Sequence, residues 1–449
     1  MDDRAILNIL INNLVYSKKG MINMIDINKI RNNKKDIEKA LLKRMDNVNL
    51  DELLVWDKEK RKIGTQLDEY RSKRRKTSDK IAELKRGGKD VDKIVKEMKE
   101  LGNKIDEGMI KYNELDKKIF DYLALLPNIP DDDVVAGGKE NNEVLRTYLE
   151  QIEFDFKLKP HYKILKDLKM IDYDRGIKIA GEKNWIYTGM GARLEWALIN
   201  YFIDTHIKNG FQFMMVPYMI KYDCGFGAGQ FPKFNDEVYM IKNENGQDNN
   251  TKFLLPTAET ALVNIHSNEI MNINELPKKY FAYTQCFRVE AGSSREAERG
   301  TIRGHQFNKV EMVQFTTDDK SEETFDELLK IAEGLMKNLG LHYQVSKLAA
   351  GDCAQGMCKT YDIEVWIPSM EGYIEVSSVS NSRDYQARRN NTKYRDEDGN
   401  LHYVNTLNGS GLATSRLLPA IVEQYQNKDG SITIPEVLRP YLGGLKVIK

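Results

Sequence analysis

Two long runs of apolar residues at helical spacing, separated by one glycine turn, constrain this chain more than any other feature. In the first, Leu53, Trp56, Ile63, Leu67, Tyr70, Thr77, Ile81 and Leu84 form one stripe at alternating steps of three and four, with Lys60 and Arg74 as polar interruptions. In the second, Ile94, Met98, Leu101, Ile105, Tyr112, Leu115 and Ile119 do the same. Arg86-Gly87-Gly88-Lys89-Asp90 between them is a turn signal. Two helices with one stripe each, tightly joined, predict an antiparallel coiled-coil hairpin. Each helix of roughly 33 residues would reach about 50 Å at about 1.5 Å per residue. Gly108 falls on the second stripe and is expected to weaken it locally. A pair this thin buries only its own seam, so it should project from a body and hold something.

The hairpin carries Arg71, Lys73, Arg74, Arg75 and Lys76 within Arg71-Ser72-Lys73-Arg74-Arg75-Lys76. Such a cluster gains affinity for a phosphate backbone by counterion release. It also fits a solvated helix face, and charge alone does not choose. With 68 Lys+Arg against 68 Asp+Glu, any nucleic-acid contact must come from a local patch. No run approaches the roughly eighteen apolar residues of a membrane span. The N-terminus begins acidic, and Asn8, Asn12 and Asn13 interrupt its apolar stretch, so it fits neither a signal nor a transit peptide. Cys224, Cys286, Cys353 and Cys358 are scattered without a CxxC pair. That usage reads as reduced thiols of a cytoplasmic protein, not as a disulfide framework or zinc site.

Leu126-Pro127-Asn128-Ile129-Pro130 followed by an acidic run ends the hairpin and reads as a linker. Beyond it, Gly191–Lys208 and Ser415–Tyr425 have helical patterns. Phe211–Pro217, Phe281–Glu290, Lys309–Thr316, Thr360–Pro368 and Tyr373–Ser378 read as strands. Strands outnumber helices and few βαβ alternations occur. The expected fold class is α+β: an all-α hairpin, then an antiparallel sheet flanked by helices.

GxxxxGK[ST], GxSxG, HExxH and Rossmann fingerprints are all absent, so nucleotide chemistry here would need a sheet surface and side chains. Three clusters could supply it. In Phe287-Arg288-Val289-Glu290, the Arg and Glu share a face if the strand is regular. The loop after them carries Arg295, Arg299 and Arg303, and Phe307 follows with a ring face for a base. A salt-bridged surface hairpin is the plain alternative. In Asn408 to Arg416, Gly409 and Gly411 would leave the backbone open beside a ligand. Arg416 would start a helix, where the dipole disfavours a cation, so an anionic partner is implied. A tight strand–helix turn fits equally. In Glu375-Val376-Ser377-Ser378, Glu375 and Ser377 would share a face of a regular strand, with Ser378 joining through a bend. A carboxylate and a hydroxyl suit Mg²⁺, although such carboxylates are more often simply solvated.

In order, these pieces resemble a seryl-tRNA synthetase, a class II aminoacyl-tRNA synthetase. The resemblance opens at Ile25-Asp26-Ile27-Asn28-Lys29-Ile30-Arg31 and runs to the C-terminus. Gly191 through Pro217 resembles motif 1, Pro256-Thr257-Ala258-Glu259 the serine-binding TAE element, Phe287–Glu311 motif 2, and Thr406–Arg416 motif 3. It implies an N-terminal extension at 1–23, a tRNA-binding coiled-coil arm at 24–130 and a catalytic domain at 131–449. It implies ATP as substrate with Mg²⁺, L-serine, tRNA-Ser as acceptor with tRNA-Sec as an open second one, and a cytoplasmic homodimer. By resemblance, Arg288 contacts the α-phosphate and the reacting carboxylate. Glu290 reads the adenine amine, Phe307 stacks on the ring, and Arg303 and Arg416 hold the outer phosphates. Arg288 and Arg416 are thereby the catalytic residues, and Glu375 through Val376 and Ser377 to Ser378 completes the ATP site. Glu375 and Ser378 hold Mg²⁺. Thr257, Ala258, Glu259, Arg288, Glu311 and Ser410 bind serine. In the arm, Arg71, Lys73, Arg74, Arg75 and Lys76 meet tRNA. The loop Ser294-Arg295-Glu296-Ala297-Glu298-Arg299-Gly300 departs from the family's usual Gly-Arg/Lys-Asp-Thr-Arg-Gly stretch. That keeps a paralogue open, one that activates serine or an analogue for another acceptor or confers antibiotic resistance.

Overall fold

A computed structural model describes residues 24–242, 251–290 and 300–449. The extension 1–23, Arg295, Arg299 and the altered loop up to Arg299 lie outside the described residues. Two compact units emerge: Met24–Lys39 with Asp46–Leu126, and Ala40–Met45 with Pro127–Lys449.

In the first unit, α1 (Asp51–Arg86) and α2 (Asp92–Leu125) pair along the expected stripes. Leu53 and Leu67 are buried on one helix, and Leu101, Ile105, Leu115 and Ile119 on the other. The connection turns at Gly88, whose φ of +68° favours glycine. The polar break at Lys60 is satisfied across the seam by Asp116. Gly108 proves to be a point of close approach: a Cβ there would stand 2.9 Å from Leu67 Cδ2. Asp57 is buried on α1 because Arg31 meets it with a two-pronged guanidinium at 2.6 and 2.7 Å.

The second unit is built on an eight-stranded sheet. Its strands are β1 (Glu143–Tyr148), β2 (Gln212–Met214), β3 (Lys278–Phe287), β4 (Gln306–Thr316), β5 (Tyr343–Lys347), β6 (Lys359–Ile367), β7 (Gly372–Asn381) and β8 (Asn405–Ala413). The spatial order is β1-β5-β6-β7-β8-β4-β3-β2, antiparallel throughout except for the parallel pair β2–β3. Helices α3 (Gly189–Lys208), α4 (Ser321–Leu339) and α5 (Thr414–Gln424) cover one face. There Leu198, Phe202, Leu328, Leu335, Leu417 and Ile421 pack on Val310, Met312, Ile363, Val365, Val379 and Leu407. Because side chains alternate along a strand, the residues between those core positions point the other way. They are Lys309, Glu311, Asp362, Glu364, Ser378, Asn408 and Ser410, and all of them line one cavity.

Some expectations are corrected. The strand expected over Phe281–Glu290 stops at Phe287, and Glu290 takes a left-handed φ of +48°, so simple alternation does not relate Arg288 to Glu290. The strand at Phe211–Pro217 shrinks to Gln212–Met214. Gly409 and Gly411 face the helices, not a ligand. A Cβ at Gly411 would meet His206 Nε2 at 2.2 Å, and one at Gly409 would touch Val379, Met312 and Leu328. α4 has no counterpart among the elements expected from the sequence. Among the described residues, no helix is long and apolar enough to cross a membrane.

Candidate active site

Two bulges aim the site. Between β6 and β7, Ile363 pairs with Ser377 and Glu364 with Glu375, leaving Val376 as an extra residue. The extra residue shifts the alternation, so Glu375 and Ser378 both line the cavity. Ser377, expected beside Glu375, instead donates its hydroxyl to Ser410 O at 2.6 Å within the sheet. Between β4 and β8, Lys309 pairs with Ala413 and Glu311 with Ser410. Gly411 and Leu412 together oppose Val310 there, and Leu412 takes a φ of +80°. A left-handed non-glycine residue costs roughly 1–3 kcal/mol, so the packing around it must over-determine it.

The cavity, about 580 Å³, has a carboxylate-rich end. Glu311 Oε2 receives Lys309 Nζ at 2.5 Å, Ser410 Oγ at 3.1 Å and Thr257 Oγ1 at 3.4 Å. Its other oxygen receives Asn408 Nδ2 at 3.1 Å. Glu259 accepts from Gln386 Nε2 at 2.8 Å and Asn408 Nδ2 at 3.3 Å. Burial, then the charge of Glu311, pushes the Glu259 carboxyl up to about 7. Ala258 contributes no side chain here; it is buried in a separate apolar cluster with Leu262, Val313 and Phe315.

The other end is cationic. The Arg288 guanidinium stacks over the Phe307 ring at 5.2 Å and donates through Nε to Pro256 O at 3.3 Å. Arg303 pairs with Glu290 at 2.9 Å. Arg416, in the first turn of α5, meets Glu375 Oε2 at 3.2 Å and Glu375 O at 3.0 Å. Burial alone would raise Glu375, but Arg416, Arg288 and Lys309 outweigh it and hold the carboxyl below its ordinary range. Burial and the Glu375 charge push neighbouring Asp362 well above its own, and Ser378 donates its hydroxyl to Asp362. Arg288, Glu290, Arg303, Phe307, Glu375, Val376 and Arg416 thus converge on one lobe, joined through Arg288, Lys309 and Ser410 to the lobe holding Thr257, Glu259 and Glu311.

Sequence reasoning missed Lys309, Asn408 and Asp362. Lys309 shares strand parity with the assigned Phe307 and Glu311, and Asn408 with the assigned Ser410; Asp362 shares it with no assigned residue of its own strand and is linked to the site only by its pairing with Ser378 on β7. The arm cations Arg71, Lys73, Arg74, Arg75 and Lys76 are all exposed in their own unit.

Glu375, with 43% of its side-chain surface exposed, and Ser378 present hard oxygen donors suited to Mg²⁺. No group of three or more His, Cys, Asp or Glu among the described residues could hold a metal by itself. A site completed by waters and substrate phosphates fits that pattern.

An antiparallel sheet backed by helices, with arginines and carboxylates on its open face, is the core of a class II aminoacyl-tRNA synthetase. Residues 239–425 match the family described as tRNA synthetase class II core domain (G, H, P, S and T). Residues 24–130 match the seryl-tRNA synthetase N-terminal domain. A serine–tRNA ligase 2 of Clostridium acetobutylicum is 54% identical over 422 residues, covering 94% of this chain and 99% of its own. A serine–tRNA ligase of Clostridium novyi is 48% identical over 435 residues, covering 95% and 100%. The crystal structure of seryl-tRNA synthetase from Pyrococcus horikoshii complexed with ATP superposes with a TM-score of 0.88 at 33% identity, covering 95% and 99%. That of a cytoplasmic serine–tRNA ligase from Naegleria fowleri with AMP gives 0.83 at 29%, with the same coverage. The chain belongs to the seryl-tRNA synthetase (serine–tRNA ligase) family.

Proposed function

We propose that this protein activates L-serine with ATP and transfers it to tRNA-Ser. The observation that carries the reading is the two-lobed cavity. A pocket of carboxylates and hydroxyls fits the ammonium and hydroxyl of serine, and it adjoins a cationic lobe with a stacking ring. In the first step a serine carboxylate oxygen attacks the α-phosphorus of ATP and the bond to pyrophosphate breaks. Both reactants are anions, so the site must neutralise and align them, and it needs no protein nucleophile. Arg288, which lines both lobes, would touch both. Arg303 and Arg416 hold the outer phosphates, Phe307 stacks on the base and Glu290 meets its amine. Glu375 and Ser378 would hold Mg²⁺, which would supply further charge neutralisation when bound. In the second step a terminal ribose hydroxyl of the tRNA takes the seryl group and AMP leaves.

Residues 24–130 act as the tRNA arm and 131–449 as the catalytic domain. Trp196, Phe213, Met215 and Met219 are exposed large apolar residues near motif 1, with Met215 at 89%, and they support a homodimer through that face. Similarity to serine–tRNA ligases over nearly the full chain, arm included, favours tRNA-Ser over a different acceptor. Serine-dependent ATP–pyrophosphate exchange, followed by transfer to tRNA-Ser, tests the reading. Exchange without transfer would redirect it to another acceptor, and no exchange from ATP-binding protein would overturn it.

Replacing Arg71, Lys73, Arg74, Arg75 and Lys76 together with alanine should raise the KM for tRNA at least tenfold and flatten its salt dependence. Exchange should stay within twofold, because the adenylate site lies wholly in the other unit. Equal losses in exchange and transfer would count against this division.

Serine binding should also depend on pH. The ammonium needs ionised Glu259, whose carboxyl sits at about 7 among Glu311, Lys309, Arg288, Gln386 and Asn408. A raised carboxyl is mostly protonated one unit below that value and mostly ionised one unit above. The KM for serine should therefore fall about tenfold between about pH 6 and pH 8. Glu259→Gln should remove the slope. In the substrate-free protein the same shift makes stability decline as pH rises from the ordinary carboxylate range through 7.

A further inference from the structure

Glu195 is a carboxylate in the wrong layer. It lies on α3, 3% exposed, on the stripe of Leu194, Leu198 and Phe202 that packs under the sheet. Burying a charge there is costly, and among the described residues no cation pairs with it. Burial pushes its carboxyl up to about 7. What it has is two neutral donors on one oxygen: Asn308 Nδ2 at 2.8 Å and the Thr414 hydroxyl.

Those donors belong to the two elements that carry the nucleotide lobe. Asn308 sits on β4 between Phe307 and Lys309. Its side chain points down to α3 while theirs point up into the cavity. Its own Oδ1 accepts from Tyr283 OH at 2.9 Å on the neighbouring strand β3. Thr414 opens α5, two residues before Arg416, and its hydroxyl also lies 3.2 Å from Asn308 O. One carboxylate therefore fixes, from beneath, the strand under the stacking ring and the first turn under the phosphate-binding arginine. On α3 the next residue, Trp196, is 53% exposed, so the anchor sits one residue from the outer face of the unit.

We propose that Glu195 is a positioning residue for ATP, setting Phe307 and Arg416 relative to one another from the helical layer. The inference rests on the nucleotide lobe assigned above. Misplacing reacting groups by about 1 Å can cost on the order of 10²-fold, so a hidden anchor can matter without touching substrate.

The test uses the full-length protein in serine-dependent exchange, with KM measured separately for ATP and serine, and ATP binding by calorimetry. Glu195→Ala should weaken ATP affinity or kcat at least tenfold while the KM for serine moves less than threefold. Glu195→Gln, whose amide oxygen can accept the same two bonds, should return within threefold of wild type. A folded Glu195→Ala protein with wild-type ATP affinity and kcat overturns the proposal, as does equal damage by both variants or equal change in the two KM values. If Glu195→Ala does not fold, Thr414→Val removes one donor at similar volume and should still weaken ATP about threefold or more; no change overturns the idea. A wild type that binds ATP but does not exchange sinks the ligase reading, and the calorimetry still decides on Glu195. A wild type that binds no ATP overturns both.

Discussion

Arg288→Ala is expected to lower kcat for serine-dependent exchange by about 10³ while leaving the fold intact. Removing one donor aimed at charge developing in the transition state costs on the order of 10²–10³-fold in comparable sites. Arg288 belongs at the upper end, because it lines both lobes of the cavity without an ion pair among the described residues, whereas Arg303 and Arg416 are paired with Glu290 and Glu375. Among the described residues its side chain bonds only through Nε, to Pro256 O, which leaves both terminal nitrogens available to substrate oxygens. The Phe307 ring beneath it fixes the plane of the fork. Arg288→Lys keeps a charge but loses both the fork and much of the stacking, so it should recover only a small part of the rate. The fold should survive, since the side chain makes no ion pair with the described residues and its strand ends before it. Exchange kinetics with a parallel melting curve decide. A loss under tenfold, or a melting temperature that falls with the rate, would remove Arg288 from the chemistry.

The hairpin was legible in the sequence because its signal is long, periodic and local. The stripes from Leu53 to Leu84 and from Ile94 to Ile119 repeat often enough to fix both helices and the turn, and α1 and α2 overrun them by only a few residues. The same period exists in α4, through Phe325, Leu328, Ala332, Leu335 and Leu339, but no motif falls on that helix to set it apart from the loops around it. The site was legible as a set of residues and illegible as a geometry. Glu375 and Ser378 reach one cavity only because Val376 is left over in a bulge. A bulge depends on the register of two strands, which single-strand alternation does not contain. The glycines of motif 3 misled for a related reason. Read locally they open the backbone to a ligand, but the next layer decides their purpose, and at Gly411 that layer is His206 on α3. Glu195 did carry a signal, a charged residue on the buried stripe of a helix. Such breaks of local pattern are where function tends to sit.

Glu311→Ala is expected to cost about 10³ in kcat/KM for serine and to leave the KM for ATP within about threefold. Four donors converge on this carboxylate from four residues: Lys309, Ser410, Thr257 and Asn408. Truncation takes the carboxylate from Lys309 and the acceptor from Ser410 and Thr257 in a buried site, while Asn408 keeps its bond to Glu259, and losing one partner of a buried charged network costs roughly 3–5 kcal/mol. At about 1.4 kcal/mol per factor of ten, that is two to four decades. Glu311→Gln should be gentler in shape but not harmless. It keeps the Asn408 contact through its oxygen while turning an amide donor toward donors, so an intermediate loss near 10² is expected. Discrimination should fail in the same variants. A pocket built to bond a hydroxyl rejects an analogue lacking it by up to about 10⁴, because its own polar groups would go unpaired. Once Glu311 is gone those groups are already unpaired, and alanine loses much of its disadvantage. The ratio of serine to alanine in exchange should then narrow by at least tenfold in Glu311→Ala. A variant that lost serine activation but kept the full ratio would mean that the discriminating contact lies elsewhere in the pocket, with Glu259 or Asn408 as the next residue to replace.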